Sequence, residues 1–251
     1  MDVVEAGAIG AAAIAAGTVN AVVGSGTLIT FPTLLAFGYP PVLANVSNSI
    51  GLVPGTLSAA YGYRRELRGQ LRRVLRFGAG SLLGGVLGAL LLLKLPSGAF
   101  DAVVPVLILA GCVLVLFQPR LNAWLKKRES VGDGDGGLPL WLGVFGTGVY
   151  GGYFGAAQGV ILMGVFGTFL KDDLQRLNAV KNVLASIVNG VSAVVFIAVT
   201  HVDWAAAVVI AVGSTVGGLV GARVGRKLPP TALRGFIVAV GITAATVLAL
   251  T

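Results

Sequence analysis

Apolar residues dominate ten stretches of this chain, and the lengths of those stretches follow an order that repeats. Longer windows lie at 3 to 23, 42 to 63, 74 to 93, 100 to 117, 138 to 155, 178 to 200, 204 to 222 and 232 to 250, with shorter ones at 27 to 38 and 158 to 170. A hydrocarbon core of about 30 Å takes roughly 20 residues of helix to cross, so the longer windows predict spanning helices. The runs are rich in Leu, Ala, Val and Gly, without the alternation that marks an outer-membrane strand. A short stretch of about 12 residues rises only about 18 Å as a helix. Each short stretch is therefore expected to be one limb of a hairpin with its tip near mid-membrane. Irregular backbone at that depth has to be buried in protein or to line a watery cavity.

Each half of the chain reads long, short, long, long, long, and the polar positions repeat with it. Gly17, Gly24 and Thr27 fall on Gly148, Gly155 and Gln158 at one constant offset. After a two-residue insertion, Asn45, Asn48, Ser49 and Thr56 fall on Asn178, Lys181, Asn182 and Asn189. The expected division is a first repeat over 1–117, a cytoplasmic linker over 118–137 carrying the tract Gly132 to Gly137, and a second repeat over 138–251. An odd number of segments per half inverts one half relative to the other. The expected fold is thus an all-α integral membrane protein, a polytopic helical bundle of two inverted five-segment repeats, with a short or re-entrant second segment in each repeat. Matching halves with interrupted hydrophobic segments point to a transporter whose site lies at the repeat interface.

Composition agrees with a membrane address. Of 251 residues, 56% are hydrophobic and 11% charged, and the mean hydropathy is +0.91, more apolar surface than one water-soluble core can hide. The net charge of +8 could suggest nucleic acid, but all except two of the 18 Lys and Arg residues fall in four short loop regions beside apolar stretches, near 64–76, 120–128, 171–176 and 223–234. That distribution sets orientation in a membrane, and no nucleic-acid partner is expected. With those loops in the cytoplasm, the loops near Lys94 and Asp203 face outward, and both termini lie outside. The segment Met1 to Glu5 is acidic and lacks a basic region, so no removed signal peptide is expected. Cys112 stands alone, which leaves no intramolecular disulfide and no thiolate metal site.

The candidate chemistry is anion binding. Gly24-Ser25-Gly26 precedes Thr27, and Gly155-Ala156-Ala157 precedes Gln158. A short helix beginning after each tip would turn free N–H groups and its positive dipole end toward that tip. Lys181 lies within an apolar run one turn after Asn178, where an ammonium needs a polar cavity or a route to the interface. Asn45 and Asn48 share a helix face by their spacing, as do Asn178 and Lys181, with Asn182 and Asn189 extending the stripe. The candidate binding residues are Gly24, Gly26, Thr27, Asn45, Asn48, Gly155, Gln158, Asn178, Lys181 and Asn182. Every Asp and Glu falls in a loop or at the end of a stretch, so a mid-span carboxylate relay lacks its parts. No catalytic or metal site and no cofactor is expected; His201 and Asp203 lack a nucleophile or ligand partner at recognisable spacing.

The run Gly17 to Pro32 followed by Asn45 to Asn48, and Gly155-Ala-Ala-Gln-Gly159 with Asn178-Ala-Val-Lys-Asn182, resemble the sulfite exporter TauE/SafE family of membrane permeases, over essentially the whole chain. The resemblance implies a multi-pass protein of the bacterial inner (plasma) membrane that exports sulfite or a related small organosulfur anion such as sulfoacetate or another sulfonate. The alternatives are an importer or channel for another small anion such as thiosulfate and, in a different class, an intramembrane enzyme or an assembly scaffold.

Overall fold

The computed structural model describes residues 1–127, 136–224, 235, 237–240 and 242. Among them the chain forms nine helices and no strand: α1 (Val3–Val22), α2 (Thr27–Ala36), α3 (Pro41–Gly62), α4 (Leu71–Lys94), α5 (Ser97–Lys127), α6 (Gly137–Tyr153), α7 (Gln158–Phe169), α8 (Leu174–Val199) and α9 (Trp204–Val224). These match nine of the ten expected stretches in order. Of the tenth, 232 to 250, only 235, 237–240 and 242 are described, and these are helical.

Helix starts are written into the local sequence. At α1, Asp2 Oδ1 accepts from Glu5 N–H at 2.7 Å while the Glu5 carboxylate accepts from Asp2 N–H at 3.2 Å, a reciprocal cap. At α8, Asp173 Oδ1 accepts from the N–H of Gln175 and Arg176. Five helices, α1, α4, α5, α8 and α9, contain segments long and apolar enough to cross a bilayer. α3 is as long, but Asn45, Ser47, Asn48, Ser49, Thr56 and Ser58 lower its hydropathy. α2 and α7 have 10 and 12 residues. On α9, Val208, Val212, Val216 and Val220 are exposed at four-residue spacing, an apolar stripe suited to lipid. The protein is multi-pass.

α5 continues as helix through Lys127, well into the stretch expected as linker. Between Gln118 and Lys127 the sequence has no glycine, and the helix runs through Pro119 as it does through Pro105; the glycine tract starts only at Gly132. The rest of that stretch, 128–135, lies outside the described residues.

Packing exchanges the two halves. α1 lies along α9 and α6 along α4, while α3 contacts α9 and α8 contacts α4. The small residues that permit this also match: Gly17 seats on the backbone of Ser214 and Gly218, and Gly148 on that of Ser81 and Gly84. Ser81 falls on Ser214 at the same offset that carries Asn45 to Asn178. Close backbone approach at small residues is how helices gain contact within lipid.

A polar network joins the α3–α4 and α7–α8 connections. Asp172 accepts from Arg73 Nη1 at 2.6 Å and from Arg176 Nε at 3.0 Å. Buried Gln70 donates to the carbonyls of Glu66 and Arg176, at 2.8 and 3.1 Å. Burial alone would raise the Asp172 carboxyl, but the Arg73 hydrogen bond, the Asp173 N–H and the charges of Arg73 and Arg176 outweigh it and hold it below the usual range.

Candidate functional site

The two tips close alike. At the end of α1 the N–H groups of Val23 and Gly24 both donate to Val19 O, at 2.7 and 3.1 Å; at the end of α6 those of Phe154 and Gly155 both donate to Tyr150 O, at 2.9 and 3.1 Å. The chain then leaves through a left-handed glycine, Gly24 at φ +84° and Gly155 at φ +79°, a conformation that costs other residues about 1–2 kcal/mol. α2 begins at Thr27 and α7 at Gln158, so each short helix turns its N-terminus toward its own tip, as the sequence predicts. The N–H groups of Ser25, Thr27, Ala156 and Ala157 reach no backbone acceptor among the described residues. They stand at the positive ends of the two helix dipoles.

The tips touch each other. Gly159 N–H, at the start of α7, donates to Gly24 O at 2.9 Å, and a methyl group on either glycine would meet the backbone of the other. Edge-to-face contact between Phe31 of α2 and Phe154 at the second tip, with ring centroids 5.2 Å apart, supports the junction.

Beside the junction lies a cleft with a cavity volume of about 10 Å³, room for about one water molecule. Three matched pairs line it: Gly24 with Gly155, Thr27 with Gln158, and Thr56 with Asn189. Asn20, Gly159, Lys181, Asn182 and Ala185 complete the wall. It has no carboxylate. Lys181 is fully buried, and its Nζ donates to Asn20 O at 3.1 Å. No carboxylate pairs with it among the described residues. A buried ammonium with one carbonyl partner is short of countercharge. Gln158 Nε2 is buried without a partner. The chemistry on offer is one positive charge, several neutral donors and free backbone N–H groups, which suits an oxygen-rich anion.

Of the ten residues singled out in the sequence, Gly24, Thr27, Gly155, Gln158, Lys181 and Asn182 line the cleft; Gly26, Asn45, Asn48 and Asn178 do not. The asparagines serve broken helix ends or neighbours instead. Asn45 Nδ2 donates to Tyr153 O at the end of α6 at 3.0 Å, and Asn178 Nδ2 to Ala21 O at the end of α1 at 3.1 Å. Asn48 Oδ1 accepts from Thr30 Oγ1. Gly26 N–H donates to Asn20 Oδ1 at 3.3 Å. Five wall residues, Asn20, Thr56, Gly159, Ala185 and Asn189, are not among the sequence candidates, although Thr56 and Asn189 belong to the repeated polar positions and Gly159 to the second glycine motif. Asn20 carried a usable signal, an amide in an apolar run one turn before Gly24.

A family model described as "Sulfite exporter TauE/SafE" matches residues 9–248. A Haemophilus influenzae protein named "Probable membrane transporter protein" is 30% identical over 226 residues, covering 88% of this chain and 85% of its own. An Escherichia coli K12 protein, "Probable membrane transporter protein YfcA", is 29% identical over 222 residues, covering 86% and 80%. A Sinorhizobium protein, "Probable membrane transporter protein ORF9", is 27% identical over 240 residues, covering 93% and 88%. No solved structure matches the chain at a significant level. With matched halves, broken helices meeting tip to tip and a family model spanning nearly its whole length, the chain belongs to the sulfite exporter TauE/SafE family of membrane transporters.

Proposed function

We propose that this protein exports sulfite or a small organosulfonate such as sulfoacetate across the inner membrane, through the cleft between two inverted five-segment repeats. The observation that carries the reading is the wall itself: Lys181, buried and without a carboxylate, beside matched donors from both halves. A single ammonium with neutral donors balances hydrogensulfite, the monoanionic form of sulfite, and leaves the second charge of a dianion such as sulfoacetate to the neutral donors. Gly24, Thr27, Gly155, Gln158, Lys181 and Asn182 bind the anion once the cleft, which in this state holds about one water molecule, widens to admit it, and the free N–H groups at the two tips add donors. Asn45, Asn48, Asn178 and Gly26 hold the frame around these groups.

In the proposed orientation the basic loops face the cytoplasm and both termini lie outside. The exchanged packing of matched helices supports the inverted relation. Outward movement of a monoanion gains about 2.3 kcal/mol per 100 mV of inside-negative potential, so export needs no coupled ion.

Efflux from proteoliposomes tests the reading, with sulfite, sulfoacetate and thiosulfate compared against chloride and phosphate. Sulfur oxyanions should leave faster than from protein-free vesicles, and Lys181→Met should slow them by about 10- to 100-fold, the worth of a hydrogen bond to a charged group. Lys181→Met protein that melts like the wild type and transports at the wild-type rate would end the assignment.

A further inference from the structure

The two broken ends are held unequally. Three donors from α8 reach the last carbonyls of α1: Asn178 Nδ2 and Asn182 Nδ2 on Ala21 O, at 3.1 and 3.2 Å, and Lys181 Nζ on Asn20 O at 3.1 Å. At the other end α3 supplies a single donor, Asn45 Nδ2 on Tyr153 O. Asn48, the counterpart of Lys181, is turned to Thr30 instead. The long face of α1 lies on α9, with little backbone packing on α8, so these side chains are the tie between α1 and α8.

Two of the three donors have a second use. Lys181 and Asn182 line the cleft, whereas Asn178 does not. A carbonyl offers a buried ammonium only a partial charge, and an anion makes a stronger, charge-assisted partner. On the reading that the cleft binds an anion, the geometry points to a displacement switch: the entering anion draws Lys181 and Asn182 off the carbonyls of α1 and thereby frees the first tip from α8. Asn178 remains on Ala21 O, so that acceptor is not left bare when Asn182 departs. Asn45 lies outside the cleft wall and keeps its hold on α6. The first hairpin is therefore the element that moves on binding, and Asn178 is the positioning residue that limits its release.

Residue-resolved hydrogen exchange of the purified full chain, with binding followed separately as a melting shift, tests this using sulfite and sulfoacetate as probes. An anion that raises the melting temperature should also speed exchange of the amides of Asn20 to Val23 by at least about five-fold, the lower end of a usual coupling factor. Lys181→Met should exchange fast there without anion and respond to none. Asn178→Ala, which leaves the cleft wall intact, should respond more than wild type. A melting shift with unchanged or slower exchange in wild type would overturn the switch while leaving the anion site standing. No melting shift with either probe would remove the anion site and the switch together. A response of Asn178→Ala no larger than wild type would overturn its holding role, and this variant remains decisive even if Lys181→Met does not fold.

Discussion

Ala157 sits at φ +58°, the left-handed region that disfavours a Cβ, while its match in the first half, Gly26, is right-handed at φ −61°. The residue with freedom to spare thus occupies the relaxed position and the one without it the strained position. Ala157→Gly should raise stability by up to about 1 kcal/mol, read as a higher melting temperature in detergent. The asparagines mark the limit of sequence reading at this scale. Spacing put Asn45 with Asn48, and Asn178 with Lys181, on shared faces. Spacing does not say whether a face looks into a cavity or onto the bare carbonyls of a neighbouring helix end, and Asn45 and Asn178 do the second. Lys181 was legible because a lone ammonium in an apolar run has few acceptable surroundings.

Among the elements, α2 and α7 decide the architecture. Their shortness was legible from hydropathy alone, and so was the Gly-led break before each, because only a few backbone conformations leave a helix so abruptly. The contact between the tips was not legible, since a glycine required by a turn and one required by a neighbour look alike in sequence. Gly159 meets the second need. A Cβ there would press on the backbone of Gly24 and on Lys181 Cδ, and overpacking of this kind costs about 1–3 kcal/mol. Gly159→Ala should lower the melting temperature and reduce sulfite efflux, whereas Gly146→Ala, which has open space around it, should leave both within error. The end of α5 also lay beyond sequence reading, because Pro119 reads as a stop after the apolar run yet stands inside the helix.

At the scale of the whole molecule, the two halves are joined by matched helix packing and by the Asp172 network. Asp172 titrates below its ordinary range, so its contribution is present above the unfolded value near pH 4 and is lost as pH falls through the folded value. Melting temperature should therefore drop on acidification below about pH 4, and Asp172→Asn should lower it at neutral pH while flattening that drop. The exchanged pairing of helices bears on how the protein is made. The end of α1 receives its hydrogen bonds from α8, and the end of α6 receives one from α3. During synthesis α1 enters the bilayer long before α8 exists, so its last carbonyls must stay hydrated or be sheltered by the insertion machinery until the later helix arrives. A first half expressed alone would remain in that unfinished condition, so a piece that closes the end of α1 has to include α8.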